Sequence, residues 1–329
     1  MLLAVAAVSA ALAAPSPTPA QLIGQKLVVR MDGTTPSASL LARARRGEIG
    51  GVILFRFNVA SPAQLRSATR ALQQAAERGG RPRLLIAVDQ EGGAVRTVAF
   101  APPRAAPGQV SAPRTEGRRT GEALRVLGVN TVLAPVADLA SPTSFVYRQG
   151  RTWSTPALAR AFAAGLGDAG VLATLKHFPG LAYATRNTDR YVVRITASRS
   201  GLRPGLEPYR GTRVALIMLS NAVYDAYDRF NAAGWSRRIG VRLLRHELDF
   251  GGVTITDSLD GTAHARGLPT DPLAVRAARA GTDLILVTGS EAASRSVYLS
   301  LLRAARDGRI RVDDLRASYG RILKLKSGP

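Results

Sequence analysis

Eight short apolar runs recur along this chain, and most are followed by a polar loop and then by a helical pattern. The runs lie at 25–30, 51–55, 84–89, 131–136, 171–176, 214–219, 252–257 and 284–288. Short runs rich in branched aliphatic residues are typical of parallel strands that are buried on both faces. Eight strands that alternate with helices predict a single closed α/β barrel of the (β/α)8, or TIM, type. The length of 329 residues suits one such barrel.

The intervening helices carry their own start signals. Ser61-Pro62 and Thr155-Pro156 each combine a capping residue with a first-turn proline. Ser236 is expected to cap another helix, which would end at Leu248. Two closing helices are predicted at 290–307 and 312–325.

The first fourteen residues are apolar and uncharged, and a proline-containing stretch follows. This run is too short to span a bilayer but matches the core of a signal peptide, with Ala-Leu-Ala at 11–13 as a cleavage site. The usual positive n-region is missing, so a disordered extension or a misplaced start codon is the alternative. We expect an exported protein with a leader at 1–20 and a catalytic barrel at 21–329, and no transmembrane span.

The chain contains no cysteine, which excludes disulfides, thiolate nucleophiles and sulfur-ligated metals. Its three histidines, His177, His246 and His264, show no metal-ligand spacing. The sequence therefore predicts a protein with neither a metal site nor a cofactor.

The formal net charge of +22 comes almost entirely from arginine. A basic surface attracts polyanions, so one interpretation is a protein that binds nucleic acid or an anionic envelope. The arginines are dispersed, however, and form no stripe interleaved with aromatic residues, which favours a compositional bias. We expect no specific nucleic-acid partner, whereas loose association with an anionic cell envelope is compatible with the charge.

Polar residues follow several of the predicted strands. In barrels of this type the chemistry lies at the C-terminal ends of the strands. The polar residues at those ends are Asp89-Gln90-Glu91, Asp138, Lys176-His177, Ser220-Asn221 and Asp257. Several carboxylates without a metal motif favour carboxylate chemistry such as glycoside hydrolysis.

Several ordered motifs make this expectation more specific. They are VDQEGG at 88–93, RTWS at 151–154, KHFPG at 176–180, LRHEL at 244–248 and ITDSL at 255–259. Together they resemble glycoside hydrolase family 3, and the resemblance extends over residues 20–326. Because no second domain is left over, the chain is most similar to the single-barrel β-N-acetylhexosaminidase branch of that family.

The resemblance implies a role for each motif residue. Asp257 would be the nucleophile of a retaining glycosidase, and its structural alternative is a helix N-cap. Asp89, Arg151, Lys176 and His177 would bind the hydroxyls of a carbohydrate substrate. The alternative role of Arg151, Lys176 and His177 is to balance the charges of Asp89 and Asp257, and the two roles are compatible. Glu91 and Asp138 are expected to support these residues.

The substrate class that the resemblance implies is a terminal β-N-acetylglucosaminide, such as a cell-wall or chitin-type fragment. Two alternatives stay open at this point. One is hydrolysis of a β-glycoside that lacks the acetamido group. The other is a catalytically weak protein that binds saccharides, because fold alone does not establish activity.

The acid/base loop departs from the family pattern. The single-barrel hexosaminidases carry Asp-Ser-His shortly after KHFPG, and here the equivalent positions are Asn187-Thr188-Asp189. Asp189 thus replaces the catalytic histidine, and Asn187 replaces the aspartate that orients it. Three outcomes follow: Asp189 is the acid/base with a raised pKa, the protein turns over slowly or not at all, or another loop or a partner supplies the proton.

Overall fold

The structure is a computed structural model that describes residues 17–328. Residues 1–16 of the predicted leader lie outside the described residues. Helix α1 (Pro19–Gly24) begins within the predicted leader, and Thr18 caps it in a reciprocal capping box with Gln21.

Eight parallel strands form the central barrel. They are β1 (Leu27–Arg30), β2 (Gly51–Leu54), β3 (Leu85–Val88), β4 (Thr131–Val132), β5 (Leu172–Phe178), β6 (Leu216–Leu219), β7 (Val253–Thr256) and β8 (Ile285–Val287). Each lies within or beside one of the eight predicted runs, and their spatial order is β7-β6-β5-β4-β3-β2-β1-β8. The predicted (β/α)8 barrel is confirmed.

The barrel closes between β7 and β8 through a short contact. A parallel bridge pairs Ile255 with Leu284, and the amide of Leu284 donates to the carbonyl oxygen of Thr254 at 2.8 Å. The amide of Leu286 donates to the Thr256 hydroxyl at 3.0 Å. A side chain therefore extends the ladder where backbone pairing is sparse.

Alternate residues of the strands pack on opposite sides of the barrel wall. Val28, Ile53 and Leu85 belong to the interior cluster, whereas their neighbours Val29 and Val52 belong to the outer cluster under the helices. This alternation follows from the two-residue side-chain period of a strand, and it explains why the runs are apolar throughout.

The helices surround the barrel. After α1 they are α2 (Ala38–Arg46), α3 (Pro62–Arg78), α4 (Pro113–Arg125), α5 (Phe145–Arg148), α6 (Pro156–Asp168), α7 (Arg199–Leu206), α8 (Leu259–Ala265), α9 (Thr270–Ala280), α10 (Glu291–Arg306) and α11 (Val312–Lys326). The helices predicted after Pro62 and Pro156 and the two closing helices are confirmed. In addition, α11 contributes Ile322 and Leu325 to the interior cluster. Within residues 17–328, none of the helices is both long and apolar enough to cross a membrane.

One predicted helix differs in type. The segment expected to follow Ser236 is a π-helix, Arg238–Glu247. Ser236 Oγ accepts from the amide of Ile239 at 3.2 Å, but the N-cap of the π-helix is Arg237, one residue after the predicted position, and the Arg237 side chain makes no capping hydrogen bond. The apolar spacing that predicts a helix does not separate α from π windings, because both place Leu243 and Leu244 against the barrel.

Short strands beyond the barrel order the loops above it. Gln90–Gly92 pairs with Val95–Arg96 in a small hairpin after β3. Arg194–Ile195, Val223–Tyr224 and Asp228–Ala232 form a second small sheet. This sheet joins the loop after β5 to the loop after β6, and thereby anchors the segment that carries Asp189.

Candidate active site

A cavity of about 410 Å³ opens at the C-terminal ends of the barrel strands. The predicted site residues Asp89, Arg151, Lys176, His177, Asp189 and Asp257 all line it, together with Glu91, Phe55, Asn187, Ser258, Gly261 and Thr288. Side chains from loops that are distant in sequence thus meet in one place. This is the end of the barrel at which enzymes with this fold bind their substrates.

Glu91 is the centre of an ion-pair network on one side of the cavity. Its carboxylate receives two hydrogen bonds from the Arg151 guanidinium, at 2.8 and 2.9 Å, and lies 2.6 Å from Lys176 Nζ. Lys176 Nζ also donates to Asp89 Oδ1 at 2.8 Å. The Glu91 side chain is 1% exposed, whereas that of Asp89 is 29% exposed. Asp89 therefore presents its carboxylate to the cavity while Glu91 holds the two cations.

The charges in this network outweigh the cost of burial. Burial alone would raise the pKa of Glu91, but the Arg151 and Lys176 charges hold that pKa at about 2. Burial would likewise lower the pKa of Lys176, yet Asp89 and Glu91 raise it above its usual value. Glu91, Arg151 and Lys176 are therefore charged at neutral pH.

Arg151 has a further side-chain partner. Besides its paired contact with Glu91, its Nη1 donates to Gln149 Oε1 at 3.2 Å. The paired geometry fixes the plane of the guanidinium at the cavity wall.

His177 is oriented by Asp138 from below the cavity. Its ring Nδ1 lies 2.7 Å from Asp138 Oδ2. Asp138 Oδ1 also accepts from the amides of His177 and Leu181, at 3.2 and 2.8 Å. Because a carboxylate can only accept, this contact places a proton on Nδ1 and fixes the orientation of the ring.

Asp257 directly follows β7, as expected from the sequence. Its amide donates to the carbonyl oxygen of Leu219 at 2.9 Å, which extends the β6–β7 ladder by one residue. Its Oδ1 accepts from the amide of Ser258 at 2.8 Å. The side chain does not cap α8 in the way a helix N-cap would, because the residue before that helix is Ser258. Asp257 is thus rigidly placed at the cavity and only partly buried.

Asp189 lies on the same cavity and has a different electrostatic environment. Burial and the negative charge of Asp257 raise its pKa to about 7, although His177, Arg151 and Asn221 oppose the rise. A carboxyl group with such a pKa is protonated in a large fraction of molecules near neutral pH. It can therefore donate a proton and accept one back.

Asn187 does not contact the carboxylate of Asp189 in the manner of an orienting aspartate. Its Oδ1 instead accepts from the amide of Asp189 at 2.8 Å, a local turn that fixes the backbone of the loop.

The remaining histidines lie away from the cavity. His246 is exposed on the π-helix and His264 is exposed on α8. Within residues 17–328, no group of three or more histidine and acidic side chains is arranged to hold a metal ion.

Two neighbours of Asp189 were not identified as site residues from the sequence. Asn221 Nδ2 lies 3.5 Å from Asp189 Oδ1. Gly261 on α8 lies so close that an added Cβ would be 2.9 Å from both Asp189 Cβ and its carbonyl oxygen. The position of Asn221 after a strand was a usable indication, whereas nothing local to Gly261 distinguishes it from other helix glycines.

Comparison with known proteins identifies the family. The chain matches the model of the glycosyl hydrolase family 3 N-terminal domain over residues 21–325. It belongs to glycoside hydrolase family 3. The predicted family is thereby confirmed.

Similar proteins come from fungi and bacteria. An uncharacterized secreted glycosyl hydrolase from Arthroderma benhamiae is 33% identical, with 92% of each chain covered. A β-hexosaminidase from Alkalilimnicola ehrlichii is 34% identical over 79% of this chain and 80% of its own. The structure of a family 3 β-N-acetylglucosaminidase from Paenibacillus superimposes with a TM-score of 0.86 at 30% identity, covering 94% of this chain and 62% of that longer one.

Proposed function

We propose that this family 3 protein hydrolyses terminal β-N-acetylglucosaminides by a retaining, two-step mechanism in which Asp257 is the nucleophile and Asp189 the acid/base. The observation that carries the proposal is the pairing of these carboxyl groups on one cavity, with the pKa of Asp189 raised to about 7. Retaining glycosidases need one carboxylate that attacks and one carboxyl group that exchanges a proton. The names of the β-hexosaminidase and β-N-acetylglucosaminidase relatives support the substrate class.

In the first step, the Asp257 carboxylate forms a bond to the anomeric carbon while the bond to the glycosidic oxygen breaks. Asp189 donates its proton to that oxygen, and the alcohol leaves. In the second step, the ionised Asp189 removes a proton from water, and the resulting oxygen bonds to the anomeric carbon and releases Asp257. Asp89, Lys176, His177 and Arg151 are proposed to hold the sugar hydroxyls through both steps.

The decisive experiment is to trap the covalent intermediate. A 2,4-dinitrophenyl glycoside of a 2-deoxy-2-fluoro sugar should inactivate the enzyme, and peptide mass spectrometry should find the label on Asp257. The assignment would be contradicted if the label were found on another residue. It would also be contradicted if no residue were labelled in an enzyme that cleaves the corresponding glycoside without fluorine. Asp257→Ala should abolish turnover.

A comparison of two substrates tests the sugar. The 4-nitrophenyl β-glycosides of N-acetylglucosamine and of glucose differ at the 2-position alone. We expect a higher kcat/KM for the acetamido sugar, whereas a preference for the glucoside would replace this substrate class by a non-acetamido β-glycoside.

A second candidate function is saccharide binding without turnover, and the absence of the family's histidine at position 189 is what favours it. Asp257→Asn should abolish the function of an enzyme, whereas it should leave the function of a saccharide-binding protein intact. Retained sugar affinity together with no cleavage of any aryl glycoside by the unmodified protein would establish the binding function.

Export to the extracellular space or envelope is proposed from the apolar segment at 1–14 and from the secreted description of the fungal relative. Expression of the full chain should release a shortened protein whose new N-terminus lies near residues 14–20. Full-length protein that stays inside the cell would contradict export.

A further inference from the structure

Asn221 bridges the two segments that carry the proposed catalytic carboxyl groups. It follows β6 and is 1% exposed. Its Nδ2 donates to the carbonyl oxygen of Ser258 at 2.8 Å, and Ser258 is the residue next to Asp257. The same nitrogen lies 3.5 Å from Asp189 Oδ1, where its second hydrogen makes a longer hydrogen bond.

The orientation of this amide is fixed by chemistry. A backbone carbonyl oxygen can only accept, so Ser258 selects the NH₂ end of Asn221 rather than its oxygen. Asn221 Oδ1 is consequently left buried, and no described residue donates to it. An unpaired buried acceptor costs free energy, so the hydrogen bonds that the Asn221 NH₂ group donates must offset that cost.

The backbone of Asn221 is held independently of its side chain. Arg266, which follows α8, donates to the Asn221 carbonyl oxygen at 3.3 Å, and its guanidinium lies 5.2 Å from the centre of the Trp235 ring. Asn221 is therefore anchored at both ends of the residue.

We propose that Asn221 is a positioning residue that holds Asp189 against the Asp257 segment and stabilises the ionised form of Asp189. The inference rests on the proposed role of Asp189 as the acid/base. No described contact ties the Asp189 carboxylate to an orienting aspartate, and Asn221 supplies the one side-chain hydrogen bond that this carboxylate receives among residues 17–328.

A donor at this position suits a group that must be protonated in one step and ionised in the next. The titratable and charged groups that influence Asp189 are Asp257 from the end of β7, His177 from β5 and Arg151 from the loop before α6. Burial and Asp257 disfavour the ionised form, whereas a hydrogen bond from Asn221 favours it. Asn221 thereby makes the base step accessible without a second carboxylate.

The test compares the Asn221→Leu variant with the unmodified protein, both as the full chain. The leucine keeps the volume but removes the donor. Thr262→Val is the matched control, since Thr262 is a buried α8 residue whose hydroxyl has no hydrogen-bond partner in the described part of the chain. Asn221→Ala replaces the leucine variant should that protein fail to fold.

Two readouts separate this inference from the proposed function. The first is the carboxyl ¹³C titration of Asp189, assigned with Asp189→Asn, which needs no substrate. The second is the alkaline limb of kcat/KM against pH for an aryl β-N-acetylglucosaminide. Loss of the donor should raise the midpoint of both by roughly one pH unit, and Thr262→Val should move neither.

The possible outcomes are distinct. A raised titration midpoint with a kinetic limb that moves with it supports the inference. A raised midpoint in a protein that cleaves no glycoside supports the contact with Asn221 but removes the proposed function. An Asp189 titration that is unchanged in the Asn221 variant overturns the inference, whatever happens to activity.

Discussion

Two carboxyl groups on the same cavity, the buried Glu91 and the partly buried Asp189, have pKa values that are shifted in opposite directions. Glu91 faces two cations, Arg151 and Lys176, and its pKa is about 2. Asp189 is also desolvated, but the neighbouring charge with the largest effect on it is the carboxylate of Asp257, and its pKa is about 7. Burial is common to both, so the sign of the neighbouring charge decides which group stays ionised.

At the residue scale, the raised pKa of Asp189 predicts a specific pH dependence of stability. The folded protein binds this proton more tightly than the unfolded chain, whose group titrates near 3.8. The contribution of Asp189 is therefore most favourable below about pH 4, and it is lost as the pH rises through about 7.

Asp189→Asn removes this dependence. We expect the variant to match the original protein near pH 4 and to exceed its unfolding free energy near pH 8 by up to about 4 kcal/mol, at about 1.36 kcal/mol per unit of pKa shift. Urea denaturation across this pH range measures the difference. Parallel stability curves for the two proteins would contradict the raised pKa.

Glu91→Gln should have the opposite effect on stability. The substitution leaves Arg151 and Lys176 without their buried partner, which costs about 3–5 kcal/mol at neutral pH. Because the pKa of Glu91 is depressed, the cost should shrink as the pH falls below about 4.5 towards about 2.

Glu122→Gln is the matched control, since Glu122 pairs with Arg118 across 3.6 Å at the surface and both side chains are more than half exposed. This change should cost less than about 1 kcal/mol. Equal losses in the two variants would show that the buried network does not stabilise the fold.

At the scale of elements, α8 and the loop after β5 are in direct contact through Gly261. Its backbone conformation is helical, so alanine is compatible with the helix and would by itself add up to about 1 kcal/mol of stability. The added methyl group, however, would lie within 2.9 Å of Asp189. The helix therefore favours alanine at position 261, whereas the close contact with the loop favours glycine.

Gly261→Ala should therefore leave a folded protein in which the loop that carries Asp189, the proposed acid/base, is displaced. We expect kcat/KM to fall more than about tenfold for substrates with poor leaving groups and less for good ones, because these need less proton donation. Gly320→Ala on α11, where nothing lies within 4 Å, is the control and should leave both substrates unaffected. Equal kinetics in the two variants would count against the close contact.

At the scale of the whole molecule, the two ends of the barrel have separate polar networks. Asp283, just before β8, pairs with Arg321 at 2.8 Å and also with Arg245, and it accepts from the amide of Thr254 at 2.9 Å. Lys26 lies in the same region, where burial lowers its pKa to about 8. This network joins β7, β8, the π-helix and α11 at the end opposite the cavity.

Asp283→Asn should therefore reduce stability without altering catalysis. Two arginines would lose their buried counter-charge, at a cost of about 3 kcal/mol. Thermal unfolding should shift to lower temperature, while kcat and KM measured well below that temperature should be unchanged. A changed KM would show that the two ends of the barrel are coupled.

Much of this protein could be predicted from its sequence. The alternation of apolar runs and helices determined the barrel, because strands buried on both faces require that pattern. The ordered motifs placed Asp89, Lys176, His177 and Asp257 at strand ends, and the structure brings all four to one cavity. Local spacing was sufficient here, since parallel strands that close into a barrel carry their C-terminal residues to the same rim.

The contacts between loops were decided by the tertiary structure alone. The partnership of Arg151 with Glu91, the amide of Asn221 between Ser258 and Asp189, and the approach of Gly261 all join segments far apart in the chain. No periodicity encodes such distances. The sequence thus determined which carboxyl groups stand at the rim, and the packing of loops around them decided which is ionised, because a pKa depends on burial and on the charges that the fold brings near.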